Sequence, residues 1–236
     1  MIYSYCKRCN LESPGDTCTG CGKRAAVSAQ MDQWSIAINP LMDGRVWRAA
    51  LIALCSERIL SFILDRAVEQ STLLYAVLLY FVVVAVSEES AKYFMLRLRT
   101  WRSEEFNCQY DGVVYAVFVS LGFALWENIS YVMHYGFQTA LVRAVTAIPG
   151  HACFGVFMGV FYGAAKRLDN EGKRTASRVC RRVGLLLSIL LHGAYDFIAS
   201  TESDSGSWYF VGFVAVMFIV SYLLVGRAAK KDKYIA

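Results

Sequence analysis

The stretch WYFVGFVAVMFIVSYLLV, residues 208–225, decides the fold class of this chain. It contains no charged residue, and a helix of about 20 apolar residues matches the thickness of the bilayer hydrocarbon. The whole chain agrees, because its mean hydropathy is +0.39 and only 18% of its 236 residues are charged, against about a quarter in soluble domains. The sequence therefore predicts an integral membrane protein.

Five further apolar segments precede it, and most of the loops between the segments contain charged residues. Glu57 and Arg58 interrupt the first of them, so this segment is also open to interpretation as an amphipathic helix at the membrane surface. Pro149-Gly150 is expected to break or kink the fourth predicted span. We predict an all-α bundle of about six spans, at residues 46–64, 72–96, 112–133, 141–165, 183–200 and 207–226.

The distribution of lysine and arginine predicts the orientation of these spans. Loops 97–111 and 166–182 and the tail after residue 226 are basic, whereas loops 134–140 and 201–206 contain neither residue. Because short cytoplasmic loops carry an excess of positive charge, we expect both termini in the cytoplasm of a multi-pass protein of the cell membrane. The net charge of +5 is then explained by topology, and no nucleic-acid partner is expected.

Two CxxC pairs separated by eight residues stand near the N-terminus. Four thiolates in this spacing favour a tetrahedral zinc site. Two disulfides are the alternative, but no cleavable signal peptide is visible before the first apolar run, which begins beyond residue 45, and disulfides are rare in the reducing cytoplasm. The predicted ligands of this structural zinc are Cys6, Cys9, Cys18 and Cys21.

These observations divide the chain into four parts. The charged and cysteine-rich part comes first, and the apolar part fills most of the remainder. We predict a zinc ribbon at 1–30, a linker at 31–45, a transmembrane core at 46–226 and a basic cytoplasmic tail at 227–236.

Ionisable side chains also fall inside four of the other predicted spans, where each costs about 2.5–3.5 kcal/mol on insertion scales. At about 1.5 Å per residue, all of them lie in the middle of a hydrocarbon core about 30 Å thick. Glu88 and Lys92 are four residues apart, as are His192 and Asp196, so each pair shares one helix face. We therefore expect one polar cavity at the centre of the bundle, lined by Glu88, Glu89, Lys92, Glu127, Asn128, His151, His192 and Asp196.

At these positions the sequence resembles the PrsW family of membrane proteases, which is similar to the wider CAAX-protease and bacteriocin-processing group. EESAK at 88–92 matches the EExxK motif of the family and FALWEN at 123–128 its FxxxE(N) motif. HACFG at 151–155 and HGAYD at 192–196 match its two histidine motifs. The resemblance covers residues 70–226 and implies proteolysis of a membrane-associated protein, for which an anti-sigma-factor-like protein is one candidate. The zinc ribbon is an addition that the family does not require.

Two catalytic schemes fit the residues of these motifs. In the first, Glu127, His151 and His192 bind zinc, Asp196 is a further ligand or a partner of one, and Glu88 or Glu89 is the general base. In the second there is no metal, Glu88 and His151 activate water, and His192 helps to hold the oxyanion. The carboxylate of Glu127, which stands where the related CAAX-type enzymes have a histidine, favours zinc. The candidate catalytic residues are Glu88, Glu89, Lys92 and Asn128.

Two other classes of function remain open from the sequence. Buried carboxylates and histidines also build proton-coupled transporters, although the six spans show no inverted repeat of the kind common in transporters. A catalytically inactive scaffold that presents its zinc ribbon to a partner is the second alternative. The expected partners of a protease would be a membrane protein substrate and the lipid bilayer.

Overall fold

The computed structural model describes residues 3–6, 11–14, 44–201 and 204–235. Near the N-terminus, strand β1 (Tyr3–Cys6) pairs antiparallel with strand β2 (Leu11–Pro14), and Cys6 lies opposite Leu11. The other three cysteines of the predicted zinc ribbon and the predicted linker up to residue 43 lie outside the described residues. The structural zinc therefore stays a prediction.

The rest of the described chain is helical. Its segments are α1 (Gly44–Ala67), α2 (Leu73–Val77), the π-helical segment π1 (Leu78–Ala85), α3 (Val86–Thr100), α4 (Asp111–Tyr135), α5 (Phe137–Val145), α6 (Ala147–Asn170), α7 (Arg174–Ala199) and α8 (Asp204–Lys230). The segments α2, π1 and α3 follow one another without a gap and form one rod. The predicted all-α architecture of the membrane core is confirmed.

Five helices in the described part of the chain are long and apolar enough to cross a membrane. They are Leu73–Thr100, Asp111–Tyr135, Phe137–Asn170, Arg174–Ala199 and Trp208–Lys230, and they match the last five predicted spans. The predicted first span coincides with α1, which is not one of the five. Glu57, Arg58, Asp65 and Arg66 interrupt its apolar surface.

The helical rod of the fourth predicted span breaks at a different residue from the one expected. The expected break at Pro149-Gly150 is wrong, because α5 ends at Val145 and α6 begins at Ala147. Pro149 lies in the first turn of α6, where a helical N–H has no intrahelical acceptor and proline is tolerated. The short helix α5 begins after Gly136, whose φ of 85° is in the region that favours glycine.

Helices α4 and α6 cross with their backbones in contact. A Cβ atom added to Gly159 would lie 2.5 Å from the Cα of Val113, and one added to Gly112 would lie 2.5 Å from the backbone nitrogen of Gly163. Small residues that let helices approach closely are typical of membrane bundles. This contact fixes the height of α6, and therefore of His151, against α4.

Helix α7 packs against α6 and against π1. A Cβ atom added to Gly193 would lie 2.5 Å from the Cδ1 of Phe81 in π1. Because His192 is the neighbour of Gly193, this close approach brings its ring to the start of α3, where the glutamate pair lies.

The residues after α8 fold back onto the loop between α3 and α4. The backbone N–H of Gln109 donates to the carbonyl of Lys233 at 2.9 Å, and that of Ile235 donates to the carbonyl of Asn107 at 2.7 Å. The side chain of Ile235 is buried with Phe106 in the main core cluster. The predicted basic tail thus includes residues that belong to the packed core.

Candidate active site

The glutamate pair and Lys92 lie in the first two turns of α3, immediately after π1. Segments of π-helix often occur at functional sites. All three residues are at most 2% exposed. The ammonium of Lys92 donates to Glu88 Oε2 at 3.2 Å and to Glu89 Oε1 at 2.7 Å, so the predicted face-sharing of Glu88 and Lys92 is present and extends to Glu89.

His151, near the start of α6, connects this group to α4. Its Nδ1 is 2.8 Å from Lys92 Nζ, and its Nε2 is 2.9 Å from Glu127 Oε2. The other carboxylate oxygen of Glu127 accepts a hydrogen bond of 2.6 Å from Nη2 of Arg143, on α5. Both ring nitrogens of His151 are therefore held by charged side chains from two different helices.

His192, on α7, contacts the other side of the glutamate pair. Its Nδ1 is 2.9 Å from Glu89 Oε1, and its Nε2 is 3.3 Å from Asp196 Oδ2. The ring of Phe154 stacks on the imidazole with a centroid distance of 4.8 Å. The rings of His151 and His192 are 5.1 Å apart between centroids. The two imidazoles thus border one small volume.

Four side chains of this cluster fit a metal ion. Glu88, Glu89, His151 and His192 each offer one ligand atom, and these atoms lie within 4.8 Å of one another. Imidazole nitrogens and carboxylate oxygens are common zinc ligands. Glu89 Oε2 is buried and has no hydrogen-bond partner among the described residues, so an acceptor remains for a cation.

The structure brings together most of the residues that the sequence selected, in a different arrangement. Of the predicted metal ligands, His151 and His192 belong to the group of four, whereas Glu127 and Asp196 contact the outer ring nitrogens of these two histidines. Asn128 follows Glu127 on α4, is half-buried and is not a member of that group. Its catalytic role stays a prediction.

Two charged residues at the site were not selected from the sequence. Arg143 pairs with Glu127, and its guanidinium lies 3.7 Å from the centroid of the Tyr131 ring. Glu57, which we interpreted with Arg58 as an interruption of a span, lines the cavity beside the cluster. Glu57 lies in the middle of the first predicted span, so the rule that selected the other ionisable residues would also have found it, whereas Arg143 lies at the end of the fourth predicted span and carried no such signal.

A cavity of about 560 Å³ borders the cluster. Among its lining residues are Glu88, Glu127 and Asp196, together with residues of α1, π1 and α5. Pockets of about 300–1,000 Å³ are typical of ligand sites. Glu88 therefore faces space in which a substrate and water can be placed, whereas Glu89 is fully buried behind it.

Proteins of similar sequence carry the name "Protease PrsW". The one from Oceanobacillus iheyensis is 37% identical over 145 residues, which are 61% of this chain and 65% of the relative. The one from Bacillus subtilis is 37% identical over 146 residues, 62% and 63% of the two chains. The one from Clostridioides difficile is 28% identical over 227 residues, 86% and 90% of the two chains.

This chain thus spans slightly less than two thirds of the relatives from Oceanobacillus and Bacillus. No solved structure matches it. The sequence model of the PrsW family intramembrane metalloproteases matches residues 42–224, a range that contains the whole buried cluster and every helix that contributes to it. The chain therefore belongs to the PrsW family.

Proposed function

We propose that this chain is an intramembrane metalloprotease that cleaves a peptide bond of a membrane-associated protein. The observation that carries the proposal is the buried group of two glutamates and two histidines beside a cavity in the apolar helical core. Hydrolysis requires a base for water and stabilisation of an oxyanion, and this group supplies side chains for both. The relatives named "Protease PrsW" support the same assignment.

Glu89, His151 and His192 are the residues that would hold zinc. All three are at most 3% exposed, and Glu89 contacts both Lys92 and His192. A zinc ion at such a site polarises a carbonyl and makes water more acidic. Glu127 and Asp196 orient the two imidazoles, as carboxylates commonly do for histidine ligands.

Glu88 is the general base in this proposal. It lines the cavity, and its Oε2 is 3.2 Å from Lys92 Nζ and 3.9 Å from His192 Nε2. A carboxylate in this position can accept a proton from water in the cavity and pass it to the leaving amine. Glu89 has no exposed surface, so it holds Lys92 and His192 and does not reach that water.

The metal-free scheme is favoured by one observation and remains the second candidate. Lys92 Nζ lies within 3.2 Å of atoms from Glu88, Glu89 and His151, three of the four residues that fit a metal. The ammonium group then supplies the cation of the site, while Glu88 and His151 activate water. Zinc content therefore decides between the two schemes.

The proposal also covers the kind of substrate, the side of the membrane on which the termini lie and the role of the N-terminal module. A substrate anchored in the membrane can reach the cavity from the bilayer, and an anti-sigma-factor-like protein is one such substrate. The basic loops support cytoplasmic termini. A zinc ribbon on that side would position a cytosolic segment of a protein partner.

The experiment uses the purified full chain in detergent and a membrane-anchored reporter substrate. Glu88→Gln is expected to lower the cleavage rate by about 10²- to 10⁴-fold, the usual contribution of general acid–base catalysis, and to leave the zinc content unchanged. Glu69→Gln, an exposed carboxylate outside the cluster, is the matched control. Full cleavage by Glu88→Gln would overturn the assignment of the base.

The zinc content of His192→Ala tests the metal. We expect this variant to contain one zinc ion less per chain than the wild type, because the remaining ligands cannot hold the ion. The difference is independent of any zinc bound by the cysteines. An equal zinc content in both proteins, with cleavage that still requires Glu88, would establish the metal-free scheme.

A further inference from the structure

The two hydrogen bonds of His151 determine which of its ring nitrogens carries the proton. Lys92 Nζ lies 2.8 Å from Nδ1, and an ammonium group can only donate hydrogen bonds. Nδ1 must therefore accept, which places the proton of the neutral ring on Nε2. Nε2 lies 2.9 Å from Glu127 Oε2, which accepts a hydrogen bond from this N–H. The lone pair of His151 consequently points to the ammonium of Lys92.

The carboxylate of Glu127 is itself held in place by one cation. Arg143 Nη2 donates to Glu127 Oε1 at 2.6 Å, so each carboxylate oxygen has a separate partner. The side chains of Arg143 and Glu127 are only 20% and 11% exposed. Stacking of the guanidinium on Tyr131 at 3.7 Å restricts Arg143 further, and cation–π contacts of this kind are attractive.

We propose that Arg143 is a positioning residue, which acts through Glu127 to hold His151 with Nδ1 turned toward Lys92 and away from Glu127. Nδ1 then carries the lone pair that would bind zinc in place of Lys92 in the first scheme and that accepts a proton in the second. The effect on cleavage rests on the proposed function. The effect on the ring of His151 does not, because it follows from the hydrogen bonds alone.

The position of Arg143 explains why Glu127 needs this partner. Arg143 lies on α5, a separate short helix between Gly136 and Thr146, and not on the helix of either Glu127 or His151. Without Arg143, one oxygen of a buried carboxylate would lose its charge-assisted hydrogen bond, and such bonds are about twice as strong as neutral ones. Glu127 would then be free to turn toward the cavity that it lines.

The test is nuclear magnetic resonance of the full chain labelled with ¹⁵N-histidine, in detergent micelles. The chain contains only three histidines, and His134→Gln identifies the signal of the exposed one. For the wild type we expect a single tautomer of His151 with the proton on Nε2. In Arg143→Gln we expect the ring, released by Glu127, to turn so that either nitrogen accepts from Lys92, which gives a mixture of both tautomers. Arg143→Lys is expected to restore the wild-type form in part.

Arg58→Gln is the matched control, because Arg58 also lines the cavity but does not belong to this chain of hydrogen bonds. We expect it to leave the tautomer of His151 unchanged. An unchanged tautomer in Arg143→Gln, or the same mixture in Arg58→Gln, would overturn the inference. These spectra do not depend on cleavage, so a failure of the proposed function is seen separately, as an inactive wild type.

Kinetics provide the second readout. Arg143→Gln should lower kcat by about 10- to 100-fold, as loss of the outer partners of metal ligands commonly does, with little change of KM. If Arg143 acts only through Glu127, the double variant Glu127→Gln/Arg143→Gln is no slower than Glu127→Gln alone. Additive losses would overturn the inference, and this comparison applies also if Arg143→Gln alone is poorly folded.

Discussion

Lys92 is the residue at which the carboxylates and one imidazole of the site meet. Its side chain is fully buried and donates to Glu88, Glu89 and His151. It also lies 4.8 Å from the centroid of the Phe123 ring. Removing one partner of a buried ion pair leaves an uncompensated charge, which commonly costs about 3–5 kcal/mol. Lys92 is therefore expected to be important for stability as well as for cleavage.

Lys92→Met should lower the free energy of unfolding by about 3–5 kcal/mol, measured by titration with a denaturing detergent in the presence of a chelator. Added zinc should stabilise this variant more than the wild type, since the ion would replace the missing positive charge between the glutamates. Lys173→Met is the control, because Lys173 contacts Glu171 at 2.8 Å on the surface and exposed pairs contribute little. A Lys92→Met protein as stable as the wild type without zinc would contradict this interpretation.

At the scale of helices, the glycines of the α4–α6 contact determine where the site residues stand. Glu127 and His151 lie on these two helices, 2.9 Å apart between Oε2 and Nε2. If a methyl group pushed the two backbones apart, the displacement would lengthen or break this hydrogen bond, because packed interiors yield little. The small residues are therefore needed for the geometry of the site and not only for packing.

Gly159→Ala tests this relation, because the new Cβ would meet the backbone of α4 at 2.5 Å. We expect a loss of about 1–3 kcal/mol of unfolding free energy, the usual cost of overpacking, and a lower rate of cleavage. Gly212→Ala is the matched control, since no atom lies within 4 Å of its added Cβ in α8. Alanine favours helices over glycine by about 1 kcal/mol, so this control should be neutral or more stable. Equal stability of both variants would argue against close contact of α4 and α6.

The long helices were predicted well from the sequence, because a helix that crosses a bilayer needs a long apolar run and its charged residues fall mostly in the loops. The span predicted at 112–133 is the helix Asp111–Tyr135, and the one predicted at 183–200 lies, except for its last residue, within Arg174–Ala199. Local backbone irregularities were not predicted. The π-helical segment Leu78–Ala85 has the same apolar composition as an ordinary span, and the break at Thr146 carries no signal as strong as the proline three residues later.

For the candidate site, the sequence predicted which residues gather but not which of them touch. Depth in the membrane places Glu88, Glu127, His151 and His192 at one level, whatever the packing of the helices. That Glu89, and not Glu127, groups with both histidines depends on distances of a few ångströms between helices, which no spacing along the chain encodes. The partnership of Arg143 and Glu127, 16 residues apart, has the same origin.

At the scale of the whole molecule, the position of the N-terminal hairpin depends on α1. Among the described residues, five helices are apolar enough to cross the membrane, and an odd number of crossings places the two ends of this part of the chain on opposite sides. If α1 also crosses, both ends lie on the same side. The predicted cytoplasmic location of both termini therefore requires that α1 crosses despite Glu57 and Arg58.

Labelling of single cysteines in intact cells tests the topology, in a protein whose native cysteines outside the CxxC pairs are replaced. We expect cysteines at Glu104 and Glu171 to be protected from a membrane-impermeant reagent and one at Ser200 to react, because basic loops remain in the cytoplasm. A peptide tag before Met1 should be protected as well. If the tag reacts while the cysteine that replaces Glu171 stays protected, α1 does not cross the membrane.

The local pairing of the buried charges has a consequence for how the protein is made. A helix that leaves the translocon with an unpaired charge at its centre meets a penalty of about 2.5–3.5 kcal/mol for each. Here Lys92 pairs with Glu88 and Glu89 on its own helix, and His192 pairs with Asp196 one turn away. The two segments that carry these pairs can thus enter the lipid with part of their charge already matched, and contacts between helices, such as that of Arg143 with Glu127, can form afterwards.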